Sequence, residues 1–173
     1  MQSPLAVLTE KEHQVFAHKV GHAIQNFGAI EFLANHMLEL LVLNQVLYRT
    51  IVEQSISRRL SVLEKLLLRV QPKISLNANE LTALFSRIRA VFKERNKIAH
   101  NPFVAEELPT APGSTAPSLR FGILVIRYHD YGTEDEWIDL PALETCIRNS
   151  HSVQEELAVL SFTLETPAHS PQL

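Results

Sequence analysis

The sequence predicts an all-α protein, a four- to five-helix antiparallel bundle with a small β-hairpin inserted before the last helix. Three observations predict it. Apolar residues recur at three- and four-residue spacing over most of the chain, and Pro72 and Pro102 fall just after two of these periodic runs. The one stretch rich in β-branched and aromatic residues is short and late, between residues 121 and 140.

The first helix opens at Thr9, a residue type that N-caps, with Glu12 three positions on. Val15, Phe16, Val20, Ala23, Ile24, Phe27, Ile30, Ala34, Leu38 and Leu41 then mark its apolar side, as one very long helix or as two joined at Gly21 or Gly28. A second helix, from about Thr50 to Val70, presents Ile51, Ile56, Leu60, Leu63, Leu66 and Leu67 to the core and Arg58, Arg59 and Lys65 to solvent, and Pro72 stops it. A third opens near Asn77 or Asn79, runs through Leu81, Leu84, Phe85, Ile88, Val91 and Phe92, and ends near Asn101, because Pro102 disfavours helical geometry in the residue before it.

After Pro102 the pattern changes. Pro109, Pro112, Gly113 and Pro117 make residues 105 to 118 an irregular loop. Phe121 to Tyr128 reads as a strand, Asp130 to Asp135 as a turn and Trp137 to Leu140 as the returning strand, so 105–140 is an insert in the helical scaffold. Pro141 starts the last helix, to about residue 162, and 166–173 is expected to be a disordered tail.

Length and composition set the frame. A chain of 173 residues with 46% hydrophobic content supports one substantial core, so 1–173 reads as a single domain. A lone cysteine, Cys146, excludes an internal disulfide and fits a reducing compartment. With no recognisable secretory segment and no membrane-length apolar run, the expected location is the cytoplasm, away from membranes. The net charge of -3 excludes a general nucleic-acid coat, yet it is unevenly spread. Arg87, Arg89, Lys93, Arg95 and Lys97 face only Glu94 within residues 87 to 97, whereas residues 130 to 144 hold six carboxylates and no Lys or Arg.

The chemistry concentrates at the end of the basic segment. Arg95, Asn96 and His100 supply a fixed cation, an amide and a titratable imidazole within two helical turns. Together they are able to hold a phosphate and move a proton without a metal. On an ideal helix Arg95 falls in the apolar stripe, where a guanidinium needs a partner, and Glu31, inside the first helix's own stripe, is the expected one. Arg95 is offset from His100, so their convergence is expected to need an unwound helix end near Ala99 or a second chain. Asn96 shares a face with His100 and can orient it.

Other candidates are weaker. His18 and His22 are one turn apart, but no acidic or cysteine ligand is fixed beside them, so no metal and no cofactor are expected. Glycine-rich phosphate loops are absent. Cys146 reads as a buried thiol and Trp137 as a packing residue of the hairpin.

The segment Glu94-Arg95-Asn96-Lys97-Ile98-Ala99-His100-Asn101-Pro102 resembles the signature of the HEPN superfamily, whose motif is Arg, a polar residue, three variable residues and His. The Asn26 to Glu31 segment of the first helix and the helix order are similar to that family's bundle. The resemblance implies a homodimer in which two motifs line one cleft, and a metal-independent endoribonuclease or RNA-binding protein of a toxin-antitoxin or defence system, with RNA and a cognate antitoxin or other protein as partners. It also implies roles: Arg95 on the scissile phosphate, Asn96 positioning, His100 exchanging protons. Arg87, Arg89, Lys93 and Lys97 would then guide RNA. Pro102 departs from the aromatic hydroxyl that nucleotidyltransferase-paired toxins of this kind often carry there. The competing expectation is a non-catalytic dimerisation or adaptor module, with Arg95 paired to Glu31 and the hairpin binding a protein.

Overall fold

A computed structural model of the chain describes residues 4–70, 74, 76–108, 118–129 and 132–166. It is mostly helical. In order, the described elements are α1 (Pro4–Leu41), α2 (Gln45–Val52), α3 (Ile56–Val70), α4 (Ala78–His100), β1 (Phe103–Leu108), β2 (Ser118–His129), β3 (Gly132–Ile138) and α5 (Leu140–Glu165). The chain divides into two compact units, Met1–Ile24 with Lys93–Arg148 and Gln25–Phe92 with Asn149–Leu173.

Several boundaries differ from expectation. Helix α1 begins at Pro4, ahead of Thr9, and runs unbroken through Gly21 and Gly28. The expected second helix is two. Asn44 N-caps α2, its side chain accepting from the amides of Val46 and Leu47, and α3 restarts where the Ser55 carbonyl accepts from the amides of Arg58 and Arg59. Helix α4 opens on a capping box: Asn77 Oδ1 accepts from the amides of Asn79 and Glu80, and Glu80 returns a bond to the Asn77 amide. Its end at His100 is where Pro102 placed it. Helix α5 is capped by Asp139, whose carboxylate accepts from the Ala142 amide. Residues 109–117 of the expected loop and 167–173 of the expected tail lie outside the described residues.

In the Gln25–Phe92 and Asn149–Leu173 unit, four helices close a ring. Polar contacts tie α1 to α3 (Glu31 and Asn35 to Arg59), α3 to α4 (Glu64 to Arg89), α4 to α5 (Arg87 to Glu156) and α5 back to α1 (Ser150 to Asn26, Glu165 to His36). Each of the four helices buries apolar residues, among them Ile30, Met37, Leu63, Leu67, Leu84, Phe85, Ile88 and Leu157. The two α1–α5 contacts rise together in residue number. These neighbours therefore run parallel, a departure from the antiparallel arrangement expected.

In the other unit the expected hairpin is a three-stranded antiparallel sheet, order β1-β2-β3. The missed strand is β1, which pairs Phe103 with Ile123 and Glu106 with Arg120. It is a short edge strand carrying two glutamates, a pattern that protects an edge but hides the strand from propensity. Ile123 and Val125 of β2 and Ile138 of β3 are buried on one face, and on that face Phe103 meets His13 and Phe16 of α1 at ring-centroid distances of 4.8 Å. On the opposite face the Arg120 guanidinium lies 4.3 Å from the Trp137 ring centroid. Gly122 makes this possible, since a Cβ there would stand 2.7 Å from the Ile138 carbonyl oxygen and 3.2 Å from the Trp137 ring. Gly122→Ala is therefore expected to cost about 1–2 kcal/mol by overpacking, seen as a lower melting temperature. An unchanged melting temperature would mean that β3 shifts freely to make room.

Candidate functional site

The motif occupies the last two turns of α4, between the Val91 and Phe92 layer and the start of β1. Arg95 follows Val91 and precedes Ile98 on one stripe, and both of those are buried, so its stem is held while its head reaches the surface. The Arg95 side chain is half-buried, and Asn96 and His100 are exposed.

These three side chains converge. Arg95 Nη1 donates to Asn96 Oδ1 at 3.2 Å and stands 3.4 Å from His100 Nε2, at the long edge of hydrogen bonding. The helix stays regular through His100, so convergence needs neither an unwound end nor a second chain. A guanidinium with five donors and a long stem spans the angular offset that short side chains could not. Because arginine has no acceptor, its contact with Nε2 is a hydrogen bond only when that nitrogen is bare, the tautomer with its proton on Nδ1. The amide thus reaches the imidazole through the guanidinium.

Glu31, the partner expected for Arg95, is engaged within its own unit. Glu31 Oε1 accepts from Arg59 Nη2 at 2.5 Å, and Asn35 accepts from the same guanidinium at 2.8 Å. Arg59, expected on a solvated face, is only 11% exposed in its side chain. The core face of α3 is the expected one, Leu60, Leu63 and Leu67, but Arg59 lies at its edge, one turn before Leu63, where face-counting assigns a charged residue to solvent. Among the described residues Arg95 makes no ion pair.

Most of the expected RNA-guiding cations are committed to carboxylates. Arg87 forms a bidentate pair with Glu156, and hydrogen bonding raises the guanidinium's pKa while lowering that of the carboxylate. Arg89 meets Glu64 at 2.5 Å. Lys97 points away from solvent, 2.9 Å from Glu94 and 2.6 Å from Glu136 of β3. Burial opposes its ammonium, but the hydrogen bonds and charges of Glu136 and Glu94 outweigh that, and its pKa stands above the ordinary lysine value. Lys97 is thus a tie between α4 and the sheet. Of the four, Lys93 alone is exposed with no ion pair among the described residues.

Comparison with family models, with curated proteins and with solved structures gives no match. The assignment therefore stands on local geometry.

Two neighbouring features bound the chemistry. Burial pushes the Cys146 thiol up to about 11, with Glu94 adding to the shift, so at neutral pH it is not a nucleophile. A hollow of about 480 Å³, lined by Val15, Phe16, Phe121 and Leu140 among others, contains none of the three motif residues. Asn96 and His100 are exposed, within reach of a polymer. His18 and His22 are exposed on α1, and among the described residues no three His, Cys, Asp or Glu side chains gather as a metal site.

Proposed function

We propose that the chain is a HEPN-like, metal-independent endoribonuclease of a toxin-antitoxin or defence system, acting as a homodimer through Arg95, Asn96 and His100. The observation that carries this reading is the Arg95 guanidinium, unpaired with any described carboxylate and bridging the amide and the imidazole on exposed surface. In this chemistry the RNA 2′-oxygen attacks the adjacent phosphorus while His100 Nε2 accepts the 2′ proton. The bond from phosphorus to the 5′-oxygen breaks, and a proton returns to that oxygen from the same imidazole or its copy in the second subunit. Arg95 compensates charge on the phosphoryl oxygens, and in accepting the phosphate it would release His100 Nε2 for the proton. Lys93 adds the nearest uncommitted cation for the RNA backbone.

The test is cleavage of labelled single-stranded and structured RNA in excess EDTA, with analysis of product ends. Cleavage that persists and leaves cyclic 2′,3′-phosphate and 5′-hydroxyl ends is expected. A divalent-ion requirement, or products with free 3′-hydroxyls, would overturn the reading. One observation favours a second reading, a non-catalytic adaptor: large apolar side chains of α1 and α5 stand exposed. That reading loses its Arg95–Glu31 pair, since Arg59 holds the glutamate.

A further inference from the structure

Parallel helices α1 and α5 carry an exposed apolar face in the Gln25–Phe92 and Asn149–Leu173 unit. Phe32 is 67% exposed, Phe162 70% and Val159 64%, with Leu40 at 36%. They lie on continuous stripes: Gly28, Phe32, His36 and Leu40 recur every four residues on α1, and Glu155, Val159, Phe162 and Glu165 at four- and three-residue steps on α5. The His36–Glu165 contact at 2.7 Å joins the two stripes, and the Phe32 ring stacks over His36. At about 150–250 Å² per aromatic side chain, the two phenylalanines alone expose on the order of 200–350 Å². With Val159 and Leu40 the face reaches the size that marks a binding surface.

What would cover it follows from charge. A hollow of about 220 Å³ opens beside Val159, lined by Leu76, Leu160, Glu155 and Glu156, with an apolar floor and carboxylates at its edge. Glu39 lies three residues past His36 on α1, beside Leu40, and Glu165 on the α5 stripe. Glu155 is met by His151 and Glu156 by Arg87. Among the described residues, four carboxylates thus border the face, against one guanidinium and two imidazoles. A second copy of the same face would set acid against acid.

We propose that this face is the docking site for a cationic amphipathic helix of another protein, its apolar side on Phe32, Val159 and Phe162, one side chain in the hollow, and lysine or arginine opposite Glu39 and Glu155. The recognition is helix-in-groove, with anchors spaced by one turn. It is independent of the motif on α4.

The probe is a labelled helix of about 18 residues, five turns, with leucine on one face and lysine on the other, and a leucine–glutamate helix as control. Binding is read by fluorescence anisotropy against wild type and the Phe32→Ser, Phe162→Ser double variant, whose helicity is checked by circular dichroism. Both rings are exposed, so the variant keeps its fold. The cationic helix is expected to bind wild type, to weaken with salt, and to lose at least about tenfold in affinity to the double variant. Four outcomes overturn the proposal. They are no binding to wild type, equal binding to the variant, equal binding of the acidic helix, and a wild-type dimer that the double substitution converts to monomer, which would assign the face to a second copy.

Discussion

Alanine in place of His100 is expected to slow RNA cleavage by roughly 10²–10⁴, the usual contribution of a positioned acid or base, while leaving the fold nearly untouched. The imidazole is exposed and its one described polar contact is the 3.4 Å approach of Arg95, so its removal deletes no packing and strands no buried group. A change in melting free energy within about 0.5 kcal/mol is the expected companion result. Single-turnover cleavage in EDTA, measured beside thermal melting, separates the two effects. A variant that cleaves as fast as wild type would remove His100 from the chemistry. A variant that loses cleavage only in proportion to lost folded protein would make the residue structural. Arg95→Lys sharpens the comparison, because it keeps the charge and loses the fork that meets the amide and the imidazole together.

How much of this could be read from the chain depends on how local each feature is. The end of α4 was legible because Pro102 acts on the residue immediately before it, and Asn77 was among the two cap candidates because a capping box spans only four positions. The motif's three side chains were legible for the same reason. Their mutual geometry was not, because face-counting treats an arginine as a vector from its Cα and ignores the reach of its stem. Strand β1 escaped because its identity is conferred by pairing with β2, not by its own Phe-Val-Ala-Glu-Glu-Leu sequence. The ion pairs were least legible. Glu31 has its partner in α3, and Lys97 has one of its partners 39 residues on, in β3. A signal for the latter existed, since the acidic run of residues 130 to 144 has a sign opposite to the basic run of residues 87 to 97. Read together, the two runs indicate mutual neutralisation before they indicate a nucleic-acid surface.

That neutralisation gives Lys97→Ala a large expected effect on stability for a polar substitution. The lysine side chain is 15% exposed and holds two carboxylates, Glu94 at 39% and Glu136 at 37% exposed. Removing it takes from Glu94 and Glu136 the cation they share across the α4–β3 contact. Breaking a fully buried pair costs 3–5 kcal/mol, but partial hydration of both carboxylates reduces this to about 2–3 kcal/mol. The pH dependence has a definite sign. Folding raises the Lys97 pKa above the ordinary lysine value of about 10.5. The stabilisation is therefore complete below about 10.5 and is lost as pH climbs through the higher folded value. Chemical denaturation of wild type and Lys97→Ala should differ by a constant amount at neutral pH and converge only in strong alkali. If the lysine served RNA rather than the fold, the variant would melt like wild type and show weaker, less salt-dependent RNA binding. The two roles thus give opposite results from one protein, and the 2.6 Å contact with Glu136 favours the fold.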